Sequence, residues 1–256
     1  MFITLLGFIT GILIGLTGTG GGVLITPLLM LFTPFPAVII IGTDIVNGAI
    51  TKLLGVFEHR KLGQVDWRLA KYLIIGSVPG TLAGIVIISL LKSHLAAHEL
   101  DHVLKTVLGV TLFGVSFFVP FIRGGKLKKK PQDEQISAGA DAWKLVVAGA
   151  AVGALVAVTS VGSGSLLMIF LLLLVPLPFG KLVGTDILFG LVTMALAGSL
   201  HVSMGHFSLP LLLQLVVGSL PGVVIGSRLT RVIPDRYFSW LYSVLYFSLG
   251  ARLLVG

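Results

Sequence analysis

Apolar residues run in long blocks separated by short polar stretches, at 2–32, 37–57, 69–91, 103–122, 144–175, 182–203, 209–227 and 236–255. Apolar runs of about 18 or more residues read as membrane-crossing helices. Six blocks have ordinary spanning length. The first and fifth are about 31 residues each, nearly 46 Å as one helix against a hydrocarbon core of about 30 Å. Each is interrupted near its middle by glycine and hydroxyl residues: Thr17-Gly18-Thr19-Gly20-Gly21-Gly22, and Thr159-Ser160-Val161-Gly162-Ser163-Gly164-Ser165. Each ends in Pro-x-Pro, at Pro34-Phe35-Pro36 and Pro176-Leu177-Pro178. One long tilted helix with a glycine kink is one reading. The other is two half-helices of about 14 residues, about 21 Å each, that enter to mid-membrane and turn there.

Shifted by 142 residues, the sequence lands on itself without a gap. Gly42-Thr43-Asp44-Ile45 falls on Gly184-Thr185-Asp186-Ile187, and Gly76-Ser77-Val78-Pro79-Gly80 on Gly218-Ser219-Leu220-Pro221-Gly222. Thr17, Gly20, Gly22, Pro34, Pro36, Gly48, Thr51, His59, Gly63 and Gly84 fall on Thr159, Gly162, Gly164, Pro176, Pro178, Gly190, Thr193, His201, Gly205 and Gly226. Roughly a third of positions from 11 to 84 are identical, the mark of an internal duplication. Two copies of a broken-helix unit are a transporter signature.

Basic residues set the orientation of the copies. The loop after the second block carries Arg60, Lys61 and Arg68, and its repeat partner at 201–208 has no Lys or Arg. The loop after the third block has Lys92 offset by Glu99 and Asp101, and its partner has Arg228, Arg231 and Arg236. Matching loops carry opposite bias, so they belong on opposite sides. Placing 58–68, 123–143 and 228–236 in the cytoplasm leaves three blocks between the last two of these loops, and one of the three cannot span. The broken fifth block is the candidate, and the first follows by repeat. The expected fold is an all-α polytopic membrane protein of two inverted repeats. Each holds three transmembrane helices and one broken re-entrant hairpin, with both termini outside. The first repeat covers 1–122, a basic cytoplasmic linker 123–143, and the second repeat 144–256.

Composition sharpens this. Of 256 residues 55% are hydrophobic and only 11% charged, against roughly 25% charged in a soluble domain. That excludes disorder and argues against a soluble enzyme. The net charge of +8 resides in a few loops, so it reports orientation in a lipid bilayer and not nucleic-acid binding. The 33 glycines and 11 prolines fit close helix packing and broken helices. With no cysteine there is no disulfide or thiolate chemistry. The six histidines form no metal motif, and neither a metal nor a cofactor is expected. The apolar N-terminus has no basic leader and reads as a mature segment.

A helix that begins at mid-membrane presents free N–H groups and the positive end of its dipole there. An anion is their natural partner. The candidate binding residues are Thr19, Gly20, Gly21 and Gly22 in the first break and Gly162, Ser163, Gly164 and Ser165 in the second, with Thr43, Thr185 and Asn47 beside them. Small residues also serve plain helix packing, which is the alternative for these glycines. Asp44, Gly48, Thr51 and Gly55 share one helix face, repeated by Asp186, Gly190, Thr193 and Ala197. An Asp at a helix centre costs about 2.5–3.5 kcal/mol in lipid, so the stripe should face the hairpin and its cavity. The two aspartates either carry protons during transport or cap half-helix N–H groups. Lys52 either balances an anion or snorkels to the surface. His59 and His201, at block ends, read as interfacial. Pro79 and Pro221 should kink their helices, as hinges or as static bends.

The broken glycine-rich stretch from Gly11 to Pro27, then Gly42-Thr43, then Gly63-Gln64-Val65-Asp66-Trp67-Arg68, resembles the sulfite exporter TauE/SafE family along nearly the whole chain. The resemblance implies transport of sulfite, sulfonates or related sulfur-containing organic anions across the bacterial inner membrane. In the family pattern a Ser follows the Gly-Thr, whereas this chain has Asp44 and Asp186. That departure favours proton handling over a hydroxyl contact. The expected partners are a small anion and the bilayer, with a second copy of the chain as a candidate. The rival class is an intramembrane protease using Asp44 and Asp186, although Gly184-Thr185-Asp186 lacks the Gly-x-Gly-Asp setting of such enzymes. Ser163 and His201 would not meet as a serine–histidine pair. A non-transporting assembly or sensor subunit would not need the repeat.

Overall fold

The structure, a computed structural model, describes residues 2–17, 22–123, 142–175, 177–229 and 235–255. Their regular structure is ten helices: α1 (Phe2–Thr17), α2 (Gly22–Phe32), α3 (Ala37–Lys61), α4 (Trp67–His94), α5 (Ala97–Arg123), α6 (Ala142–Thr159), α7 (Leu166–Leu174), α8 (Phe179–Ser203), α9 (Leu209–Leu229) and α10 (Asp235–Val255). Six of them, α3, α4, α5, α6, α8 and α9, are long and apolar enough to cross a membrane. Large apolar side chains cover outward faces, as Ile75, Val78, Leu82, Val86 and Leu90 do on α4. Such a surface suits lipid and not water. The protein is a multi-pass, all-helical membrane protein.

The first and fifth blocks are each two helices, but the halves are unequal: 16 and 11 residues, then 18 and 9. The expectation of two halves near 14 residues is therefore corrected. In the second copy the reason lies in the chain. Helix α6 runs on to Thr159, whose hydroxyl accepts from the Val161 N–H at 3.1 Å, and Ser160 turns left-handed at φ 63°. At 18 residues α6 reaches about 27 Å, close to a full span. Helix α5 extends to Arg123 and α6 opens at Ala142, so only 124–141 of the basic stretch falls outside the described residues.

The main packing pairs are α1 with α9, α4 with α6, α3 with α8 and α5 with α10. A shift of 142 converts the first pair into the second and maps each of the others onto itself. Glycine drives the closest contacts. A Cβ at Gly76, Gly80 or Gly84 on α4 would meet the carbonyls of Val146, Ala150 and Ala154 on α6. The twins Gly218, Gly222 and Gly226 on α9 stand in the same way against Thr4, Phe8 and Ile12 on α1. These are small-xxx-small ridges that let backbones touch. Pro79 and Pro221 lie inside continuous helices, on the exposed face away from these ridges.

Helices α3 and α8 run antiparallel. Gly42 abuts His206, Gly48 abuts Met194, and Gly55 abuts Ile187. Their ends are latched by twin contacts. The Ser208 N–H donates to the Thr43 hydroxyl and the Asp66 N–H to the Thr185 hydroxyl, each at 3.0 Å. Asp66 also caps α4 by accepting from the Leu69 N–H at 2.9 Å. Gly63 and Gly205, with φ of 64° and 72°, make the two matching turns. Asp101 of α5 accepts from the Ala37 N–H at 2.9 Å, satisfying the start of α3.

Candidate functional site

Both aspartates are fully buried, and the second helix break bonds both. Within the break, Gly162 and Gly164 take φ of 146° and 88°, a backbone path that side chains rarely adopt. The Ser160 hydroxyl donates to Asp44 Oδ2 at 2.8 Å, and the Thr26 hydroxyl of α2 donates to the same oxygen at 2.6 Å. Four residues further along the break, the Gly164 N–H donates to Asp186 Oδ1 at 2.9 Å. The other oxygen of Asp186 faces Lys52 Nζ at 3.9 Å. Lys52 is 5% exposed, so its ammonium does not snorkel but stays inside and pairs. It lies over Gly190, where a Cβ would stand 2.7 Å from Nζ.

Several buried polar atoms around this pair have no hydrogen-bond partner: Asp44 Oδ1, Asn47 Nδ2, and the hydroxyls of Ser163 and Ser165. Asn47 Oδ1 accepts from the Ser219 hydroxyl of α9 at 3.2 Å. The Asn47 side chain is close enough to Asp44 to interact, without forming an aligned hydrogen bond. An unsatisfied buried polar group costs about 1–3 kcal/mol. Four of them on both sides of one break therefore call for a polar occupant. The Ser163 and Ser165 hydroxyls and the Asn47 amide can donate to a compact oxyanion.

A family model described as Sulfite exporter TauE/SafE matches residues 3–253. The chain belongs to the sulfite exporter TauE/SafE family. It is similar to the probable membrane transporter protein YjnA of Bacillus subtilis, 35% identical over 98% of each chain. It also resembles the probable membrane transporter protein YdhB of the same organism, 27% identical over 91% of each. A more distant relative is the probable membrane transporter protein MJ0441 of Methanocaldococcus jannaschii, 20% identical over 98% of this chain and 94% of the other. No solved structure matches.

Within this TauE/SafE chain, the residues that the sequence suggests divide into three groups. Ser163, Gly164, Asn47, Asp44 and Asp186 converge on or beside the break, with Gly162 and Ser165 in the same turn. Thr43 and Thr185 face elsewhere: their hydroxyls accept from the loops that latch the two halves. Thr19, Gly20 and Gly21 lie outside the described residues, and Gly22 opens α2. Thr26 and Ser160, the two donors to Asp44, were not among the expected residues. Their twin positions hold Met168 and Gly18, so the repeat gave no signal for them.

His201 departs from its interfacial reading. It is fully buried, and its Nε2–H donates to the Ala157 carbonyl at 2.9 Å. Its ring lies 5.5 Å from that of His206. The Lys92 ammonium donates to His206 Nε2 at 2.9 Å. His206, in the loop between α8 and α9, is pushed down to about 4, first by burial and then by the positive charge of Lys92 and the His201 ring. It is therefore a neutral ring at neutral pH, with its proton on Nδ1.

Proposed function

We propose that the protein is a secondary transporter of small sulfur-containing oxyanions, sulfite or sulfonates, across the bacterial inner membrane. The anion is held inside the membrane by the break residues Gly162, Ser163, Gly164 and Ser165, with Asn47. The candidate residues of the first break, Thr19, Gly20, Gly21 and Gly22, contribute to the same site; by the repeat, Gly20, Gly21 and Gly22 are the counterparts of Gly162, Ser163 and Gly164. The observation that carries the reading is the buried break with its unpartnered Ser163 and Ser165 hydroxyls, set where a helix begins and its dipole is positive. Thr43 and Thr185 hold the scaffold around the site. Transport is coupled to protons, for which the buried Asp44 and Asp186 are the candidates.

Two inverted halves, 1–122 and 144–256, joined by a cytoplasmic linker, suit this function. The antiparallel run of the equivalent helices α3 and α8 supports a two-fold axis in the membrane plane. The opposite basic bias of matching loops supports it independently. In that arrangement the first and fifth blocks re-enter, and both termini face outside. The printed names of the relatives are those of membrane transporters, and no observation favours a protease.

Reconstituted protein tests the reading. Proteoliposomes should accumulate labelled sulfite or 2-hydroxyethanesulfonate under a proton gradient, and a cation of similar size should not move. Absence of flux for every sulfur oxyanion under either gradient direction would remove the proposal.

A further inference from the structure

The twin aspartates sit in unlike surroundings, because the repeat is broken at the residues that touch them. Lys52 of α3 corresponds to Met194 of α8, and Asn47 to Phe189. Thr26 corresponds to Met168, and Ser160 to Gly18. Asp186 therefore has a cation at 3.9 Å and a peptide N–H at 2.9 Å. Asp44 has two hydroxyls on Oδ2 and no hydrogen bond on Oδ1, although the Asn47 amide is close by.

We propose that the two aspartates have separate roles: Asp44 takes up and releases the coupling proton, one per anion, while Asp186 stays ionised as the fixed partner of Lys52. This rests on the transport reading above. Protonating Asp186 would leave the Lys52 ammonium buried and unpaired, a loss of several kcal/mol in comparable cases. Asp44 has no such partner. Two donors already occupy Oδ2, so the proton goes to Oδ1, which has no hydrogen-bond partner, and the new O–H can donate. An oxyanion beside Ser163 and Asn47 can accept it. An ionised Asp44 would instead repel that anion across a low-dielectric gap. Proton and anion therefore favour each other's binding, the condition for moving together. On release, the proton returns to water on the receiving side and the carboxylate is restored.

The titratable groups around Asp44 are few. Helix α8 presents Asp186 and His201, the latter engaged with Ala157, and the loop after it brings His206, held by Lys92, against Gly42. Lys52 is on Asp44's own helix. Asp101 of α5 is occupied at Ala37, about two turns away. Helix α2 has none. Lys144 and Arg228 lie about 22 Å along α6 from the break and about 13 Å along α9 from Ser219.

The test uses proteoliposomes with 2-hydroxyethanesulfonate, which stays ionised at every pH the protein tolerates, so any pH dependence belongs to the protein. Asp44→Asn should keep anion exchange across the membrane while gradient-driven accumulation falls by about tenfold or more. The double variant Lys52→Met with Asp186→Asn removes the pair together and leaves an oxygen for the Gly164 N–H. Its absolute rate should fall, but the ratio of flux with and without a gradient should stay within about twofold. Accumulation by Asp44→Asn, or loss of the gradient response in the double variant, overturns the assignment. Should Asp44→Asn fail to fold, Thr26→Val with Ser160→Ala decides. Removing both donors to the carboxylate should raise the pH midpoint of uptake by about half a unit or more. An unmoved midpoint overturns the proposal. A wild-type protein that moves neither this sulfonate nor sulfite defeats the transport reading itself, and this inference with it.

Discussion

At the scale of single residues, the site depends on hydroxyls that face no protein partner. Replacing Ser163 with Val fills the approach without removing charge. Saturating sulfite should stabilise the wild type by about 2.7 kcal/mol at a hundredfold excess over Kd. In Ser163→Val most of that thermal shift should vanish, while Ser163→Thr should retain part of it. An unchanged shift in Ser163→Val would place the anion elsewhere. His206 gives a pH prediction with a definite sign. Its native value near 4 lies below the unfolded value of about 6.5, so the unfolded chain binds more protons between these limits. Its contribution to stability is full above about pH 6.5 and is lost as pH falls toward 4. Melting temperature should drop over that window, and His206→Gln should flatten the drop. Asp44 and Asp186 were legible in the sequence because a carboxylate in an apolar helix is expensive and so conspicuous. Thr26 and Ser160 were not, since a hydroxyl in an apolar helix normally bonds its own backbone, as the Thr10 hydroxyl does at Leu6 O. Nothing in the sequence separated them from such a residue. The Lys52–Asp186 pair was hidden for another reason. It joins helices from different halves, and only their antiparallel packing brings 52 beside 186.

At the scale of elements, the glycine ridges fix which helices move as one. Gly80 on α4 lies flush with the Ala150 carbonyl of α6, and Gly114 on α5 has open space where a Cβ would be. Gly80→Leu should therefore separate α4 from α6 and cost about 1–3 kcal/mol from overpacking, seen as a lower melting temperature in detergent. Gly114→Leu should be neutral or slightly stabilising, because a helix interior disfavours glycine by about 1 kcal/mol. Equal effects at the two positions would show that the ridge is not a packing contact. The helices themselves were readable as apolar blocks, and their ends coincide with Pro36, Pro178 and the Gly63 and Gly205 turns. The ridges also stood in the sequence as Gly76, Gly80 and Gly84 with their twins. Pro79 suggests a kink, but the four-residue glycine spacing around it is the stronger signal. The unequal halves of the broken blocks could not be read, because a glycine and hydroxyl cluster says that a helix stops nearby without fixing the turn at which it does.

At the scale of the whole molecule, the arrangement of the two halves sets the mechanism. If the repeats are inverted, each break opens toward a different face when the same packing is exchanged between halves, and one site serves both sides. Parallel repeats would give no such exchange. The loops that follow α3 and α8 decide between them, because they are equivalent by the repeat and only the first is basic. The chain has no cysteine, so single introduced cysteines report without background. Leu62, after α3, is 66% exposed, and Ser203, at the end of α8, is exposed as well. In intact cells, Ser203→Cys should react with a membrane-impermeant maleimide, and Leu62→Cys should react only after the membrane is opened. The charge asymmetry around Arg60, Lys61 and Arg68 fixes this order and not the reverse. Labelling of both from outside, or of neither, would put the equivalent loops on one side and make the repeats parallel.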